Sequence, residues 1–142
     1  MIENEIIIEG VLLTNLKIIS SDQGKVLYGL NKDEDSYNGF GEVYFSNVKK
    51  NKIKAWKKHK KTYSNLTVIC GKVKFLILDK DKKLKKFVLH SKSYKSILIP
   101  PNMFYGFMGM GEQNVICNFI NKPHSIDEHI NKNINYFKYK WV

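Results

Sequence analysis

The sequence predicts an all-β sandwich or barrel formed by one domain. Short apolar or alternating segments follow one another closely, and Tyr, Phe, Val and Ile are abundant in them. Turn-forming residues separate these segments, as at Ser21–Gly24, Lys49–Asn51 and Asp79–Lys83. No long amphipathic helix pattern interrupts the series. Many short strands without such helices are typical of sandwiches and barrels.

Each predicted strand is an apolar run or an alternation of apolar and polar residues that ends at a turn signal. The first is the apolar run before Gly10, and the last is the apolar run before the polar tail. After Pro123 the polar tail is expected to hold one short helix or extended cover that ends at Trp141. In chain order the predicted strands are Glu5–Ile8, Val11–Ile19, Lys25–Leu30, Gly39–Val48, Ile53–His59, Leu66–Cys70, Lys72–Asp79, Lys85–Leu89, Ser96–Ile99, Tyr105–Met108 and Asn114–Ile120.

Length and composition predict a globular domain that covers residues 1–142. A chain of 142 residues with 43% hydrophobic residues can bury a core, and no repeat or linker divides it. The longest apolar runs, such as Phe75–Leu78, are too short to cross a bilayer. The acidic start lacks the features of a signal peptide. Cys70 and Cys117 lie in apolar strands and do not form a secreted disulfide framework, so we expect a cytoplasmic protein with reduced thiols.

The net charge of +11 indicates a general attraction to polyanions, but the pattern does not favour a specific nucleic-acid partner. All 24 basic residues are Lys, whereas proteins that read bases rely on the bidentate geometry of Arg. The lysines are also spread along most strands and loops. We therefore interpret them as a solvated surface and expect neither a nucleic-acid nor a membrane partner.

The strand Ile53–His59 carries the first candidate site residues. Because side chains alternate along a strand, Lys57 and His59 are expected to face the same side. The two faces then hold Ile53, Ala55, Lys57 and His59 on one side, and Lys54, Trp56, Lys58 and Lys60 on the other.

The strand that contains Val43 and Phe45 allows two interpretations. In one, these two residues enter the core, and Glu42, Tyr44 and Ser46 face solvent. In the other, the polar residues line a polar cavity, and the apolar pair packs against a second sheet or a partner subunit. Alternation alone slightly favours the first interpretation, because a sandwich interior is normally apolar.

Several segments resemble one family in order and spacing over nearly the whole chain. They include Phe40–Ser46, Ile53–Trp56 with His59-Lys60, Pro100-Pro101 with Tyr105–Phe107, and a C-terminal signature of Asn118, Pro123-His124, Asp127-Glu128 and Trp141. Together they resemble the dTDP-4-dehydrorhamnose 3,5-epimerase-like (RmlC-like) cupins. The resemblance implies a single-domain cupin jelly-roll barrel and favours the interpretation in which Glu42, Tyr44 and Ser46 line the cavity.

The resemblance also shows where this chain departs from metal-binding cupins. The H-x-H pair of those proteins reads Lys57-x-His59 here, and Tyr105 stands where a later His would follow. Asn102 replaces the Gly of the second motif and can hold the same left-handed turn. No cluster of ligands with metal-binding spacing remains, so we predict no metal and no cofactor.

The catalytic residues of the family are replaced at several positions. Lys57 occupies the position of the His that serves as the family's base, and Lys54 occupies the position of its Arg. The Tyr that donates the proton in the family has no counterpart near Asn118. Proton abstraction beside a ketone needs a base with a pKa near the working pH. Lys57 could act as that base if burial and like charges lower its pKa, or it could stay charged and hold a phosphate or an oxyanion. In the second case His59 is the better base, although a purely structural role for His59 is equally compatible with the sequence.

The resemblance therefore implies an epimerase or keto-isomerase that acts on a nucleotide-linked sugar, perhaps dTDP-linked, in surface-polysaccharide biosynthesis. The alternative is a non-catalytic relative that binds nucleotide sugars. We expect a homodimer in which Glu5–Ile8 is covered. The expected catalytic residues are Lys57 and His59, and the expected substrate-binding residues are Glu42, Tyr44, Ser46, Lys54, Lys60, Tyr105, Cys117 and Asn118.

Overall fold

The fold is a sandwich of two antiparallel sheets, seen in a computed structural model that describes residues 8–142. The strands are β1 (Leu12–Asn15), β2 (Ile18–Ser21), β3 (Gly24–Leu27), β4 (Glu42–Asn47), β5 (Ile53–His59), β6 (Ser64–Cys70), β7 (Lys72–Leu78), β8 (Leu84–His90), β9 (Lys95–Ile99), β10 (Tyr105–Gly109), β11 (Val115–Ile120) and β12 (His129–Asn131). Two single-turn 3₁₀ helices lie in the tail, at Ile126–Glu128 and Ile134–Tyr136.

The first sheet has the order β1-β9-β6-β11-β4, and the second has the order β12-β5-β10-β7-β8. All of these neighbours pair antiparallel. The strands β2 and β3 form a separate hairpin, with Ser21 opposite Gly24 across the predicted turn. These arrangements confirm the predicted all-β cupin class.

The core lies between the two sheets and consists of the inward side chains of both. Val73, Phe75 and Ile77 alternate along β7 and are completely buried, and Ile97 and Ile116 meet them from the first sheet. This period of two is the pattern expected when one face of a strand is buried. The sequence-based strand positions follow from the same alternation and agree with most observed strands.

Two differences from the predicted strands have local reasons. Val11–Ile19 is divided into β1 and β2, because β1 joins the first sheet while β2 leaves it to form the hairpin. The tail holds the additional strand β12, which is polar and only three residues long, so its composition does not mark it as a strand. The predicted strand Glu5–Ile8 lies outside the described residues except for Ile8.

A second apolar cluster covers the outer face of the second sheet. Leu76 and Met108 point away from the main core and pack with Trp56 and with Trp141 from the tail. The indole N–H of Trp56 donates to the carbonyl oxygen of Ile134 at 3.0 Å. The tail therefore covers the outer side of β5 with extended segments, β12 and two single-turn 3₁₀ helices, where one short helix or extended cover was expected.

Candidate functional site

A cavity of about 360 Å³ opens between the two sheets. Its walls come from β4, β5, β6, β10, β11 and the end of β12, and more of its lining surface is apolar than polar. The polar lining residues are Tyr44, Ser46, Lys54, Lys57, Tyr105, Asn118, Asn131 and Lys132. A concave, largely apolar site with a few convergent polar groups is the usual form of a small-molecule site.

Strand β4 contributes Tyr44 and Ser46 to the cavity. The outward side chains of the same strand are exposed, with 37% of Val43 and 64% of Phe45 accessible. The arrangement therefore follows the second interpretation of this strand, in which the polar face looks inward. Glu42 shares that face but lies beyond the cavity, where its carboxylate accepts a hydrogen bond from the backbone N–H of His124 at 2.8 Å.

A bulge in β5 brings Lys54 and Lys57 to the same cavity. Tyr105 of β10 pairs with Lys57 and Phe107 pairs with Lys54, so two steps on β10 correspond to three on β5. The extra residue shifts the alternation, and two lysines that simple alternation places on opposite faces both line the site. Gly106 permits the close approach at the bulge, because a Cβ on it would lie 2.5 Å from the Cβ of Ala55.

The two lysines differ in their surroundings. Lys54 is exposed, whereas Lys57 is half-buried opposite the fully buried Tyr105. Burial, and then the positive charge of Lys54, lower the pKa of the Lys57 amine below its usual value. Lys132 is exposed and also lines the cavity. The cavity therefore has a cationic, exposed end and a deeper end that holds one amine with a lowered pKa.

Hydroxyl and amide groups line the deeper end. The amide of Asn118 donates to the phenol oxygen of Tyr44 at 2.8 Å, which leaves the phenol proton of Tyr44 available to a ligand. Burial raises the pKa of Tyr44, and the charge of Glu42 adds to this effect. Burial also raises the pKa of Tyr105. Both phenols are therefore neutral proton donors near neutral pH.

His59 lies beside this end of the cavity and is held by Glu128. Its Nδ1 is 2.7 Å from a carboxylate oxygen of Glu128, and its ring stacks on Tyr105 with 6.4 Å between ring centroids. The other ring nitrogen, Nε2, is buried and has no partner among the described residues. Burial lowers the pKa of His59, although Glu128 opposes this effect. Nδ1 of the neutral ring donates to the carboxylate, so Nε2 is the proton acceptor.

The carboxylate of Glu128 is a junction between the tail and the end of β5. Besides His59, the backbone N–H groups of Lys61 and Thr62 donate to it. Burial alone would raise the pKa of Glu128, but these hydrogen bonds outweigh that effect and lower the pKa to about 2. Sequence reasoning assigned Glu128 no role, although it stands within the C-terminal signature quoted above.

Three other predicted residues do not reach the cavity. Cys117 faces outward because it pairs with Phe45, whereas its neighbour Asn118 pairs with Tyr44 and faces inward. Burial raises the pKa of the Cys117 thiol to about 11, so the thiol stays neutral. Lys60 follows β5 and is exposed, and Glu42 is held by the tail. The lining residues Asn131 and Lys132 were not predicted, because nothing in the tail marks them as facing a cavity.

Three further expectations concern the site and its surroundings. Asn102 has a φ of 70°, which confirms that it holds the left-handed turn. Within residues 8–142, no group of three or more His, Cys, Asp or Glu side chains is arranged to hold a metal ion. No helix in the same range is long and apolar enough to cross a membrane.

Solved structures with this fold include several sugar-nucleotide enzymes. A dTDP sugar isomerase from Desulfovibrio desulfuricans G20 is 27% identical, with a TM-score of 0.86 over 91% of this chain and 87% of that chain. The 3,4-ketoisomerase QdtA from Thermoanaerobacterium thermosaccharolyticum, solved as a variant with TDP-4-keto-6-deoxyglucose, is 20% identical, with a TM-score of 0.77 over 89% of this chain and 90% of that chain. The TDP-quinovose 3,4-ketoisomerase WlaRB from Campylobacter jejuni is 17% identical, with a TM-score of 0.75 over 88% of this chain and 95% of that chain.

Sequence comparison identifies the family. No curated protein sequence matches the chain. Residues 9–141 match the family described as WxcM-like, C-terminal (FdtA), which spans nearly the whole sequence. Together with these structures, the match confirms the resemblance to epimerase-like cupins. The chain therefore belongs to the WxcM-like, C-terminal family.

Proposed function

We propose that this protein is a sugar-nucleotide epimerase or isomerase that moves a proton beside a ketone of the sugar. One observation carries the proposal: the cavity joins a cationic, exposed end to a deeper end with proton donors and an amine of lowered pKa. The dTDP sugar isomerase of D. desulfuricans and QdtA with its keto-sugar nucleotide support the same class of substrate.

The gradient of exposure suggests how such a substrate lies. A diphosphate carries its charge next to the nucleoside and is favoured at the exposed end, where Lys54 and Lys132 lie. The sugar then enters the deeper end, near Tyr44 and Tyr105. Ligand cavities usually measure about 300–1,000 Å³. A volume of about 360 Å³ suits a sugar with its diphosphate, so the nucleoside extends outward.

We assign the proton chemistry to groups at the deeper end. Nε2 of His59 accepts the proton beside the ketone, since Glu128 holds Nδ1 and keeps Nε2 free. Lys57 polarises the ketone, and a neutral phenol, from Tyr44 or Tyr105, returns a proton. His59 contacts the cavity through Tyr105 rather than lining it, so the phenol side chain has to move or pass the proton on.

Proton exchange in deuterated water tests this function. The protein is incubated with TDP-4-keto-6-deoxyglucose, and the ring protons are followed by NMR. We expect the signal of a proton beside the ketone to disappear at a rate proportional to protein concentration. Binding is measured in parallel by thermal shift, because a ligand that binds only the native state raises the melting temperature of the protein.

The same pair of measurements tests the alternative function, a non-catalytic sugar-nucleotide receptor. The position of His59 behind the cavity wall is the observation that favours this alternative. A raised melting temperature without proton exchange, for every keto-sugar nucleotide that binds, would establish the receptor. The absence of both effects would contradict both functions.

Lys54→Ala is expected to weaken binding of dTDP by at least about tenfold, because a hydrogen bond to a charged group contributes about 1.5–3 kcal/mol net and about 1.4 kcal/mol is tenfold in affinity. Isothermal titration calorimetry measures the change. Lys60→Ala is the matched control, since it removes an exposed lysine from the same segment that lies off the cavity. Equal losses in the two variants would show that general attraction, and not the cavity, holds the diphosphate.

We further propose a cytoplasmic homodimer that serves surface-polysaccharide assembly. Cys70 and Cys117 are free thiols, which fits a reducing compartment. The exposed Val43 and Phe45 lie beside an apolar groove of about 310 Å³, which includes Leu27 of the hairpin. An apolar face that combines protruding side chains with a groove suits the self-complementary interface of a two-fold dimer, because each copy can place its side chains in the groove of the other.

Phe45→Lys is expected to convert the dimer to a monomer, because it places a charge in the centre of the proposed apolar interface. Light scattering over a range of protein concentrations gives the mass. Val88→Lys is the control, since Val88 is also exposed but belongs to the second sheet. A wild-type protein that stays monomeric at high concentration would contradict the dimer.

A further inference from the structure

The side chain of Lys57 is half-buried on the cavity wall, and no described carboxylate pairs with its amine. Lys50 and Lys80 form ion pairs with Glu112 and Glu9. By contrast, Nζ of Lys57 forms no hydrogen bond or ion pair with any described residue.

The charges that surround Lys57 are cationic, and the acids within the same region are already engaged. Burial lowers the pKa values of Lys57, His59 and His129, and nearby charge adds to it: that of Lys54 for Lys57, and that of Lys57 for the two histidines. Glu42 accepts from the backbone of His124, and Glu128 accepts from His59 and two backbone N–H groups. A half-buried lysine beside another cation, with no carboxylate to stabilise its ammonium form, is the arrangement that activates a lysine as a nucleophile toward carbonyl compounds.

We propose that the Lys57 amine forms an imine with the ketone carbon of the sugar, and that the reaction is therefore an epimerisation beside that carbon. This inference rests on the proposed function and deepens it. The position of Lys57 supports it, since Lys57 lies at the deeper end of the cavity, where the sugar is placed, whereas Lys54 lies at the exposed end.

The covalent steps balance without an added oxidant or reductant. Nζ adds to the carbonyl carbon, and the carbonyl oxygen takes up protons and leaves as water, which forms a protonated C=N bond. A phenol of Tyr44 or Tyr105 can supply a proton for this departure. The protonated imine draws electrons from the neighbouring C–H bond, and the proton passes to Nε2 of His59. A proton then returns to the other face of the resulting enamine, and water releases the ketone and the amine.

The imine also decides between the two reaction classes. An isomerase that moves the ketone to the next carbon has to protonate the carbon that carried it. If that carbon carries Lys57 nitrogen, protonation leaves a C–N single bond, which water does not hydrolyse. Each turnover would then alkylate the protein. An epimerase protonates only the neighbouring carbon and leaves the C=N bond ready for hydrolysis, so only epimerisation is compatible with turnover.

Reductive trapping tests the imine. The protein is mixed with TDP-4-keto-6-deoxyglucose and sodium cyanoborohydride, digested, and examined by mass spectrometry. We expect one modified peptide, with Lys57 as the modified residue and a mass gain equal to the ligand less one oxygen atom. Lys57→Arg keeps a positive charge but cannot form the imine, so its adduct should be lost while dTDP still raises its melting temperature.

A second measurement uses only the unaltered protein, in case Lys57→Arg does not fold. Every imine cycle replaces the ketone oxygen with one from water. In H₂¹⁸O the protein should therefore label the ketone oxygen faster than the spontaneous rate without protein. NMR of the product should show an inverted neighbouring carbon with the ketone in its original place.

The outcomes separate the imine from the proposed function. Exchange of the ring proton without an adduct or oxygen labelling overturns the imine and leaves the function intact. A product in which the ketone has moved overturns the epimerisation. An adduct on Lys57 without ring-proton exchange supports the imine but overturns catalysis, and a ligand that neither binds nor exchanges overturns the proposed function itself.

Discussion

His59→Gln is expected to slow ring-proton exchange in a keto-sugar nucleotide by about 10²–10⁴-fold, the usual contribution of a general base. Gln keeps an amide that can donate to Glu128, but it provides no basic nitrogen in place of Nε2. Binding of dTDP should change little, because His59 does not line the cavity. NMR exchange rates and calorimetry give the two quantities separately.

The matched control for this prediction is His90→Gln. His90 ends β8, far along the second sheet from β5, and its ring accepts a local hydrogen bond from the backbone N–H of Lys92. The exchange rate of this variant should equal that of the wild type. If His59→Gln also exchanges at the wild-type rate, His59 is not the base, and the proton passes instead to Lys57.

The pH dependence of exchange provides an independent readout of Glu128. Burial keeps the pKa of His59 below its usual value of about 6.5. Exchange should therefore fall only when the pH drops below this lowered pKa, where the ring becomes protonated and can no longer accept a proton. Glu128 raises the pKa of His59 through a hydrogen bond and its charge. Glu128→Gln should therefore move the acid limb of the profile to lower pH, a shift that a purely structural role for Glu128 does not produce.

Glu128→Ala is expected to lower the free energy of unfolding at pH 7 by about 2–3 kcal/mol, because three donors lose their acceptor and a partly buried donor without a partner costs about 1–3 kcal/mol. These donors are Nδ1 of His59 and the backbone N–H groups of Lys61 and Thr62. Urea denaturation measures the change.

The same variant should alter the acid sensitivity of the fold. The pKa of Glu128 is about 2 in the folded state and ordinarily 4.5, so the unfolded state binds more protons between these values. The stabilisation by Glu128 is present above about pH 4.5 and is lost as the pH falls toward 2. The difference in stability between wild type and Glu128→Ala should therefore shrink over that range.

Glu112→Ala serves as the control for both measurements on Glu128. Glu112 is exposed and pairs with Lys50, and exposed ion pairs contribute little to stability. Its removal should leave the urea midpoint at pH 7 almost unchanged. A loss for Glu128→Ala no larger than that for Glu112→Ala would contradict the role of Glu128 as the junction between the tail and β5.

The alternation of side chains in single strands could be predicted from the sequence. Tyr44 and Ser46 face the cavity while Phe45 is exposed, because the period of two holds throughout β4. The resemblance was needed to choose which face looks inward, since alternation alone slightly favoured the opposite choice. The strand Ile53–His59 has the predicted bounds, and Asn102 holds the predicted left-handed turn.

Contacts between distant segments could not be predicted in this way. The junction at Glu128 joins residues more than sixty positions apart, and β12 is formed by pairing with β5. Asn131 and Lys132 reach the cavity through that pairing. Cys117 faces outward because of its register with β4, and a shift of one residue in that register would have turned it inward.

The sequence by itself determined the all-β class, most strand positions and the polar character of one face of β4, because local alternation and turn residues carry this information. Only the tertiary structure decided that Lys54 and Lys57 share one cavity. That outcome depends on the bulge in β5, whose extra residue is set by its pairing with β10 and by the close approach at Gly106. A bulge is a property of two paired strands, so the spacing of residues within one strand does not reveal it.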